Sequence, residues 1–263
     1  MLRIGINGSA GRMGRRLVAL LKEADDMELA AALEREGHET LGRDAGEVAE
    51  IGHVGVPIAA ALAGRVDVLI DFSSPESTAT RAAECARMGT ALVVGTTGLA
   101  ENHVSALRKA AERVPCVFAP NMSVGVSVLA KLVRTAAATL GPDYDVEVVE
   151  AHHRFKKDAP SGTALQLARA AAEALGRDLD HVALHGRSGR PGERTASEIG
   201  IHAVRAGDIV GEHTVLFGAL GEHIELRHSA HSRDTFARGA LRAARFVARK
   251  PPGLYTMADV LGL

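Results

Sequence analysis

The chain has 263 residues, a hydrophobic fraction of 46% and a formal net charge of −1, which predict a globular protein with enough core for two domains. Basic residues are dispersed and form no stripe for nucleic acid, and no apolar run suggests a membrane span. The first residues lack the features of a signal peptide, so we expect a cytoplasmic protein. With only Cys85 and Cys116, neither a disulfide framework nor a Cys-based zinc site is expected. The expected partners are small molecules and further copies of the chain.

The first half of the chain alternates apolar strands with amphipathic helices. Residues 66–72 are apolar nearly throughout, which is typical of a parallel strand covered on both faces. Ser74 and Pro75 supply an N-cap and a first-turn proline for the next helix, and Gly89 supplies its stop. The predicted strands are 2–7, 27–33, 66–72, 91–97 and 116–120, and the predicted helices are 15–24, 76–89 and 101–113. This order predicts an open, doubly wound, Rossmann-like parallel sheet.

The pattern changes near Asn121. Residues 123–141 predict a long helix, and residues 143–153 alternate apolar and polar side chains, as in a strand with one solvated face. Two further alternating runs, 198–219 and 222–230, predict an α+β domain with a largely antiparallel or mixed sheet. A final amphipathic helix covers 232–250, with Ser232 as its predicted N-cap.

A glycine loop, GSAGRMG at residues 8–14, follows the first strand directly and opens the first helix. In this context a dinucleotide pyrophosphate meets a helix N-terminus. The predicted cofactor-binding residues of the loop are Gly8, Ser9, Ala10, Gly11, Arg12 and Met13. Glu34 ends the second strand and is placed to bind the adenosine ribose hydroxyls, while Arg35 is placed to bind a 2′-phosphate, so we expect either NADH or NADPH to be accepted. The alternative is a tight turn without a ligand.

The densest group of titratable side chains is EAHHRFKKDAPSGTA, residues 150–164, called the histidine segment below. Two histidines and two lysines lead into a predicted helix start, in which Pro160 occupies the first turn and Ser161 and Thr163 offer hydroxyls. A helix start attracts carboxylates, and the lysines add positive charge. The segment therefore predicts an anion clamp beside a proton donor, suited to a small dicarboxylate. The alternative is a strand end with solvated charges followed by a capped helix.

A metal site at His152 and His153 is another interpretation of the histidine segment. Consecutive strand residues point to opposite faces of a sheet, so adjacent histidines rarely share one ion. No carboxylate–histidine pair at helical spacing accompanies them. The sequence therefore predicts no metal site.

The histidine segment resembles the signature of the bacterial 4-hydroxy-tetrahydrodipicolinate reductase (dihydrodipicolinate reductase) family, which is roughly E-x-H-H-x-x-K-x-D-A-P-S-G-T-A. Five other blocks resemble the family's motifs in the same order: GSAGRMG at 8–14, DFSSP at 71–75, GTTG at 95–98, APNMSVGV at 119–126 and SRDTFARGA at 232–240. The resemblance thus spans nearly the whole chain. One departure is Ser74, where many relatives carry Arg.

The resemblance implies a role for individual residues of the histidine segment. It gives His152 as the general acid, Lys156 as the residue that polarises the substrate, and His153 as a substrate contact. Ser161, Gly162 and Thr163 are implied to bind substrate, with Gly162 and Thr163 forming a carboxylate cradle. Lys157 is expected on the surface, because the family pattern requires only one lysine here.

The resemblance also implies the remaining cofactor contacts and the overall organisation. The residues implied to line the nicotinamide and its ribose are Phe72, Ser73, Gly95, Thr96, Thr97, Ala119, Pro120, Asn121 and Met122; each alone could be a plain strand-to-helix turn. The dinucleotide domain is expected at 1–122 and 234–263, and the substrate-binding and tetramerisation domain at 123–233. The implied reaction is NAD(P)H-dependent reduction of 4-hydroxy-tetrahydrodipicolinate to tetrahydrodipicolinate, with loss of water, in the diaminopimelate route of lysine biosynthesis. The implied assembly is a homotetramer.

Two alternative functions stay open from the residues alone. Another NAD(P)-dependent dehydrogenase on the same scaffold would explain the glycine loop but not the histidine segment. A non-enzymatic nucleotide-sensing regulator would be expected to carry an added DNA-binding helix pair or a basic tail.

Overall fold

The computed structural model describes residues 1–263, which alternate strands and helices along most of the chain. The strands are β1 Leu2–Asn7, β2 Met27–Leu33, β3 Ile58–Ala59, β4 Val68–Asp71, β5 Ala91–Val94, β6 Pro115–Phe118, β7 Asp145–His152, β8 Ala183–His185, β9 Ile199–Arg205, β10 Gly211–Ala219, β11 Glu222–Ala230 and β12 Gly253–Tyr255. The α-helices are α1 Arg12–Lys22, α2 Ala45–Val48, α3 Pro75–Met88, α4 Glu101–Ala111, α5 Val124–Leu140, α6 Gly162–Ala174, α7 Leu179–Val182, α8 Asp234–Val247 and α9 Met257–Leu261.

The chain divides into two compact units. Unit 1 comprises Met1–Val124 and Arg233–Gly262, and unit 2 comprises Gly125–Ser232 together with Leu263.

Unit 1 is a doubly wound parallel sheet with strand order β12-β6-β5-β4-β1-β2-β3, as the alternating pattern predicts. Successive strand side chains point to opposite faces, so strands apolar throughout build two cores. One core contains Ile6, Val93 and residues of α1 and α8. The other contains Leu92 and residues of α3 and α4. β2 and β3 lie on one side of β1, and β4, β5, β6 and β12 lie on the other. The switch point of the sheet therefore lies between β1 and β4.

Helix α3 shows how local sequence positions the loops at the carboxyl edge of this sheet. The Ser74 hydroxyl accepts a hydrogen bond from the Ser77 N–H, Pro75 occupies the first turn, and Gly89 ends the helix in the left-handed conformation with φ 73°. All three features were predicted from the sequence. They fix where the chain leaves β4 and where it enters β5.

Unit 2 is built on a mixed sheet with strand order β11-β10-β7-β9-β8. β10 is antiparallel to both β7 and β11, while β9 is parallel to β7 and β8. Val148 of β7, Val215 of β10 and Ile201 of β9 point to the same face and pack with Leu167 of α6. The expected α+β architecture with a mixed sheet is therefore confirmed.

Helix α5 and the short 3₁₀ turn after it, Val124–Asp143, form a segment long and apolar enough to cross a membrane by length and composition. No membrane span was predicted from the sequence. Core helices pass the same test, and Leu129, Val133 and Ala137 of this helix are buried in the hydrophobic core of unit 2. Only 22% of its most apolar stretch is buried, however, and Val128 and Leu132 are 39% and 49% exposed.

Two helix starts differ from the predictions. Helix α6 begins at Gly162 with Ser161 as its N-cap, so Pro160 precedes the cap and is not in the first turn. Helix α8 begins at Asp234 with Arg233 as its N-cap residue, not Ser232. Ser161 has the extended backbone of a capping residue, whereas Arg233 is already helical (φ −67°, ψ −14°) and makes no side-chain cap hydrogen bond, so the start of α8 is defined only to within a residue.

Candidate active site

The glycine loop of unit 1 has a geometry that only glycine permits at two of its positions. Gly8 has φ 79°, and a Cβ placed on it would lie 2.4 Å from the Phe72 carbonyl oxygen. A Cβ on Gly14 would lie 2.1 Å from the Gly8 carbonyl oxygen, so α1 packs directly against the loop. The loop therefore folds tightly at the switch point of the sheet. Gly11 and Arg12, where α1 begins, are exposed.

The other predicted cofactor residues of unit 1 follow parallel strands, so they lie at the same carboxyl edge of the sheet. Glu34 follows β2, and one of its carboxylate oxygens accepts a hydrogen bond of 3.1 Å from the Ala10 N–H of the glycine loop. Arg35 is exposed. The remaining predicted residues follow β4 (Phe72 and Ser73), β5 (Gly95, Thr96 and Thr97) and β6 (Ala119, Pro120, Asn121 and Met122).

These loops pack closely on one another. The Phe72 ring lies so near Gly95 that a Cβ there would be 2.3 Å from a ring carbon. The Ser73 N–H donates to the Thr96 hydroxyl at 3.0 Å. In the following loop, the Ser123 N–H donates to the Asn121 side-chain oxygen at 2.8 Å. A tight glycine turn, an exposed helix start and an acidic side chain after β2 are the features that hold a dinucleotide, so the residues present fit such a cofactor.

A buried polar network under these loops was not predicted. Asn7 at the end of β1 donates to the Asp71 carboxylate at the end of β4 at 2.7 Å and to the Ser73 hydroxyl at 2.9 Å. The Ser73 and Thr78 hydroxyls also donate to Asp71. Burial raises the pKa of Asp71, although the hydrogen bonds to its carboxylate oppose this. The network ties β1 to β4 at the point where both loops leave the sheet.

The candidate functional residues of unit 2 lie at one end of the sheet face that α6 covers. Along β7, Val146 and Val148 supply apolar side chains to this face, and Glu150 and His152 follow on the same face at the same spacing of two. The register pairs Glu150 with His213 of β10 and His152 with Arg205 of β9. The face thus changes from an apolar core to a cluster of ionisable groups within one strand length.

Glu150 is the centre of this cluster. It is fully buried, and its carboxylate accepts hydrogen bonds from His152 Nδ1 at 2.6 Å and from the Ser161 N–H at 2.9 Å. Arg205 donates to both of its oxygens, at 2.8 and 2.9 Å. Burial alone would raise the pKa of Glu150, but the contacts with Arg205, His152 and Ser161 outweigh burial and hold it below its ordinary value. An ionised carboxylate only accepts, so His152 carries a proton on Nδ1 and presents Nε2 as its titrating nitrogen.

Burial also governs the pKa of the two histidines in the cluster. Desolvation lowers the pKa of His152; Glu150 opposes this shift, whereas Lys156 and Arg205 add to it. His213 is 4% exposed, and burial together with the charge of His152 lowers its pKa to about 4. His213 is therefore neutral near pH 7. Its Nε2 lies 3.1 Å from the Ser161 hydroxyl, and its ring meets that of His152 edge to face, with a centroid distance of 5.2 Å.

Ser161 connects the cluster to the start of α6. Its hydroxyl accepts from the Ala164 N–H at 3.1 Å, as an N-cap does. The Ser161 N–H donates to Glu150, and the Ser161 hydroxyl lies within hydrogen-bond distance of His213. Gly162 is exposed in the first turn, next to Thr163, and both backbone amides lie at the positive end of the helix. This end of α6 can attract a carboxylate.

The structure brings most of the predicted residues of the histidine segment to this end of the sheet. Lys156 is about one-fifth exposed, and its Nζ donates to Asp158 at 2.8 Å. The His153 ring lies 6.3 Å from that of Phe155. Lys157 is exposed, as expected.

Three residues of the cluster were not predicted as functional from the sequence. Glu150 was given no role, and Arg205 and His213 were not named. One signal for Glu150 was present, since it precedes His152 by two residues in a strand and so shares its face. Arg205 and His213 lie 55 and 63 residues from Glu150 along the chain, and only the strand pairing brings them together.

A doubly wound sheet with a glycine loop, joined to an inserted α+β unit with a buried histidine–carboxylate pair, defines an oxidoreductase of the dinucleotide-binding class. Two family models match the chain: "Dihydrodipicolinate reductase, N-terminus" over residues 2–122 and "Dihydrodipicolinate reductase, C-terminus" over residues 125–261. The chain belongs to the dihydrodipicolinate reductase family.

Similar proteins agree with this assignment over the full length. The chain is 52% identical to the 4-hydroxy-tetrahydrodipicolinate reductase of Syntrophus aciditrophicus, covering 100% of this chain and 99% of the relative. It is 54% identical to the enzyme of the same name from Alkalilimnicola ehrlichii, covering 99% of each. Among solved structures, a dipicolinate-bound dihydrodipicolinate reductase from Paenisporosarcina sp. TG-14 is 27% identical and superposes with a TM-score of 0.77, covering 98% of each chain.

Proposed function

We propose that the chain reduces 4-hydroxy-tetrahydrodipicolinate to tetrahydrodipicolinate with a nicotinamide cofactor and with loss of water, in the diaminopimelate route of lysine biosynthesis. The observation that carries the proposal is the buried Glu150–His152 pair beside the start of α6, in a chain that matches reductases of this name along its whole length. Loss of water leaves a conjugated ring. Addition of a hydride and a proton to that ring then balances the reduction.

His152 is proposed as the proton donor. Its Nδ1–H is committed to Glu150, so the proton it can give away is on Nε2. Hydride addition at C4 of the conjugated ring leaves an enamine, and protonation of the enamine carbon by His152 completes the step. The ionised Glu150 stabilises the imidazolium that must form before each proton transfer.

The remaining residues of the histidine segment are proposed to bind substrate. The amides of Gly162 and Thr163 and the capping residue Ser161 form an anion cradle for one carboxylate. Lys156 polarises the substrate and stabilises developing negative charge, and His153 contacts it. The relative from Paenisporosarcina was solved with dipicolinate, a planar dicarboxylate, which supports a site of this chemistry.

The cofactor is proposed to bind to the loops of unit 1 and to supply the hydride. Gly8, Ser9, Ala10, Gly11, Arg12 and Met13 would hold the pyrophosphate, and the loops after β4, β5 and β6 would hold the nicotinamide and its ribose. Glu34 would bind the ribose hydroxyls, and Arg35 would bind a 2′-phosphate. Both NADH and NADPH are expected to serve. Residues 1–122 and 234–263 would thus be the dinucleotide-binding domain, and residues 123–233 the substrate domain.

Arg35→Ala tests the proposed cofactor selectivity. An exposed, charge-assisted contact to phosphate contributes roughly 1.5 to 3 kcal/mol, so the affinity for NADPH should fall about tenfold to a hundredfold. The affinity for NADH should change little, because NADH lacks the 2′-phosphate. Calorimetric titration of the variant with each cofactor measures both. Equal losses for NADH and NADPH would show that Arg35 does not bind the phosphate.

The proposed assembly is a cytoplasmic homotetramer formed through unit 2. On the sheet face opposite α6, Val149 and Val204 are 40% and 45% exposed, and β11 is an edge strand. Apolar side chains and an unpaired edge of this kind are commonly covered by a second copy. Light scattering at micromolar concentration should give four times the 27.5 kDa chain mass, and a monomeric mass would refute the proposal.

The activity is tested by mixing the protein with NADPH and freshly synthesised substrate. Absorbance of the reduced nicotinamide should fall only when protein, cofactor and substrate are all present. A nucleotide-sensing protein would bind NADPH and leave the absorbance unchanged. A different dehydrogenase would leave the NADPH absorbance unchanged with 4-hydroxy-tetrahydrodipicolinate and would change it only with its own substrate.

A further inference from the structure

The buried carboxylate of Glu150 contacts both the proposed proton donor and the start of α6. One oxygen accepts from His152 Nδ1 and the other from the Ser161 N–H at the start of α6. The same carboxylate is held from β9 by two hydrogen bonds from Arg205. Arg205 also donates to the Asp158 carbonyl oxygen at 2.6 Å, three residues before the N-cap Ser161.

We infer that Glu150 is a positioning residue that fixes the proton donor His152 and the anion-binding start of α6 in one geometry, with Arg205 as the clamp that orients Glu150. This inference rests on the proposed function, because it takes His152 as the proton donor. A carboxylate held by four donors from three separate segments cannot rotate without breaking several charge-assisted hydrogen bonds. His152 and Ser161 therefore keep a constant separation while substrate binds.

The contacts also determine which proton His152 gives up. With Nδ1–H donated to Glu150, the ring cannot exchange tautomers without losing this bond, so Nε2 remains the nitrogen that titrates. The charged and titratable groups facing the His152 ring are Glu150 on its own strand, Lys156 in the following loop, Arg205 on β9 and His213 on β10. Among these, only Glu150 stabilises the imidazolium.

Glu150→Gln keeps the side-chain volume and removes the charge. We expect kcat to fall about tenfold to a hundredfold, by analogy with the carboxylates that orient metal-ligating histidines. We also expect KM to rise, because the Ser161 N–H loses its charged acceptor. A general acid must be protonated, so kcat declines as pH rises through the pKa of His152. Loss of the negative charge should move that decline to lower pH, whereas Arg205→Gln, which removes a positive charge, should move it to higher pH.

Glu147→Gln is the matched control. Glu147 lies on the same strand but on the opposite face, and it is bound by Arg187 at 2.7 Å, Arg194 at 3.1 Å and His202 at 2.7 Å. Its loss removes a similarly paired carboxylate without touching His152 or Ser161. All variants are compared with the wild type at equal oligomeric mass and below the melting temperature of each. Under these conditions Glu147→Gln should keep the wild-type pH dependence of kcat.

Steady-state kinetics from pH 5 to pH 9 on these variants and on His152→Gln decide the matter. Shifts in opposite directions for Glu150→Gln and Arg205→Gln, with no shift for Glu147→Gln, support the inference. If Glu150→Gln yields no folded protein, an upward shift in Arg205→Gln supports it and an unchanged profile overturns it. A wild-type kcat and profile in Glu150→Gln, with His152→Gln impaired, overturns the role of Glu150 alone. A wild-type kcat in His152→Gln overturns the proposed proton donor itself.

Discussion

Replacing His152 with Gln should lower kcat by about a hundredfold to ten-thousandfold and change KM little. The reason is that a proton given up only in the transition state contributes little to ground-state binding. Glutamine keeps the polarity and approximate size of the side chain but cannot transfer the proton. Steady-state kinetics on the variant, matched to the wild type for thermal stability, measures the effect.

The two lysines of the histidine segment provide an internal comparison for this experiment. Lys156→Ala should change both kcat and KM, because Lys156 is proposed to act in the ground state and in the transition state. Lys157 is exposed, and Lys157→Ala should have little effect on either constant. A purely structural His152 would instead lower stability and leave the kcat of the folded fraction near normal. Damage from Lys157→Ala, or full turnover in His152→Gln, would show that these roles are wrongly assigned.

Gly8→Ala should remove NADPH binding and destabilise unit 1. Gly8 has φ 79°, where a side chain costs about 1 to 2 kcal/mol. The new Cβ would also lie 2.4 Å from the Phe72 carbonyl oxygen. Relief of that contact costs about a further 1 to 3 kcal/mol, and it must displace the glycine loop or the loop after β4. Both loops are proposed to hold the cofactor.

Gly37→Ala separates the steric contact from the backbone conformation. Gly37 has φ 74°, and a Cβ placed on it meets no atom within 4 Å. It should therefore show the conformational cost alone and retain NADPH affinity. Urea unfolding gives the free energy of unfolding, and fluorescence titration gives the cofactor affinity. Equal effects of the two substitutions on both quantities would contradict the tight approach of the glycine loop to Phe72.

Local chemistry made much of the fold predictable. The strands of unit 1 are apolar throughout because both faces of a parallel sheet are covered, and those of unit 2 alternate. Ser74, Pro75 and Gly89 bound α3 through backbone conformations that those residue types favour. By contrast, the caps of α6 and α8 were misplaced by a residue or two, because several adjacent residues could each have taken the capping conformation.

The candidate site was predictable only where its residues are neighbours in sequence. The histidine segment places His152, Lys156 and Ser161 within ten residues of one another. The carboxylate that organises them also belongs to this segment, but Arg205 and His213 reach it through the strand order of the mixed sheet. Likewise, the Asn7–Asp71 contact joins residues 64 apart. Hydrophobic periodicity identifies strands without ordering them, so such contacts follow from topology and not from pattern.

The most direct test of the account uses isotopes to follow the hydride of the proposed reduction. With NADPH carrying deuterium at the transferable position of its nicotinamide, NMR of the product should show that deuterium at C4 of the ring. With unlabelled NADPH in deuterated water, C4 should carry no solvent deuterium, because its hydrogens come from substrate and cofactor, and turnover should slow in His152→Gln. Cofactor deuterium at the carbon of the ring C=N bond would mean that the chain reduces an imine, as an amino-acid dehydrogenase does, and would contradict the proposed function.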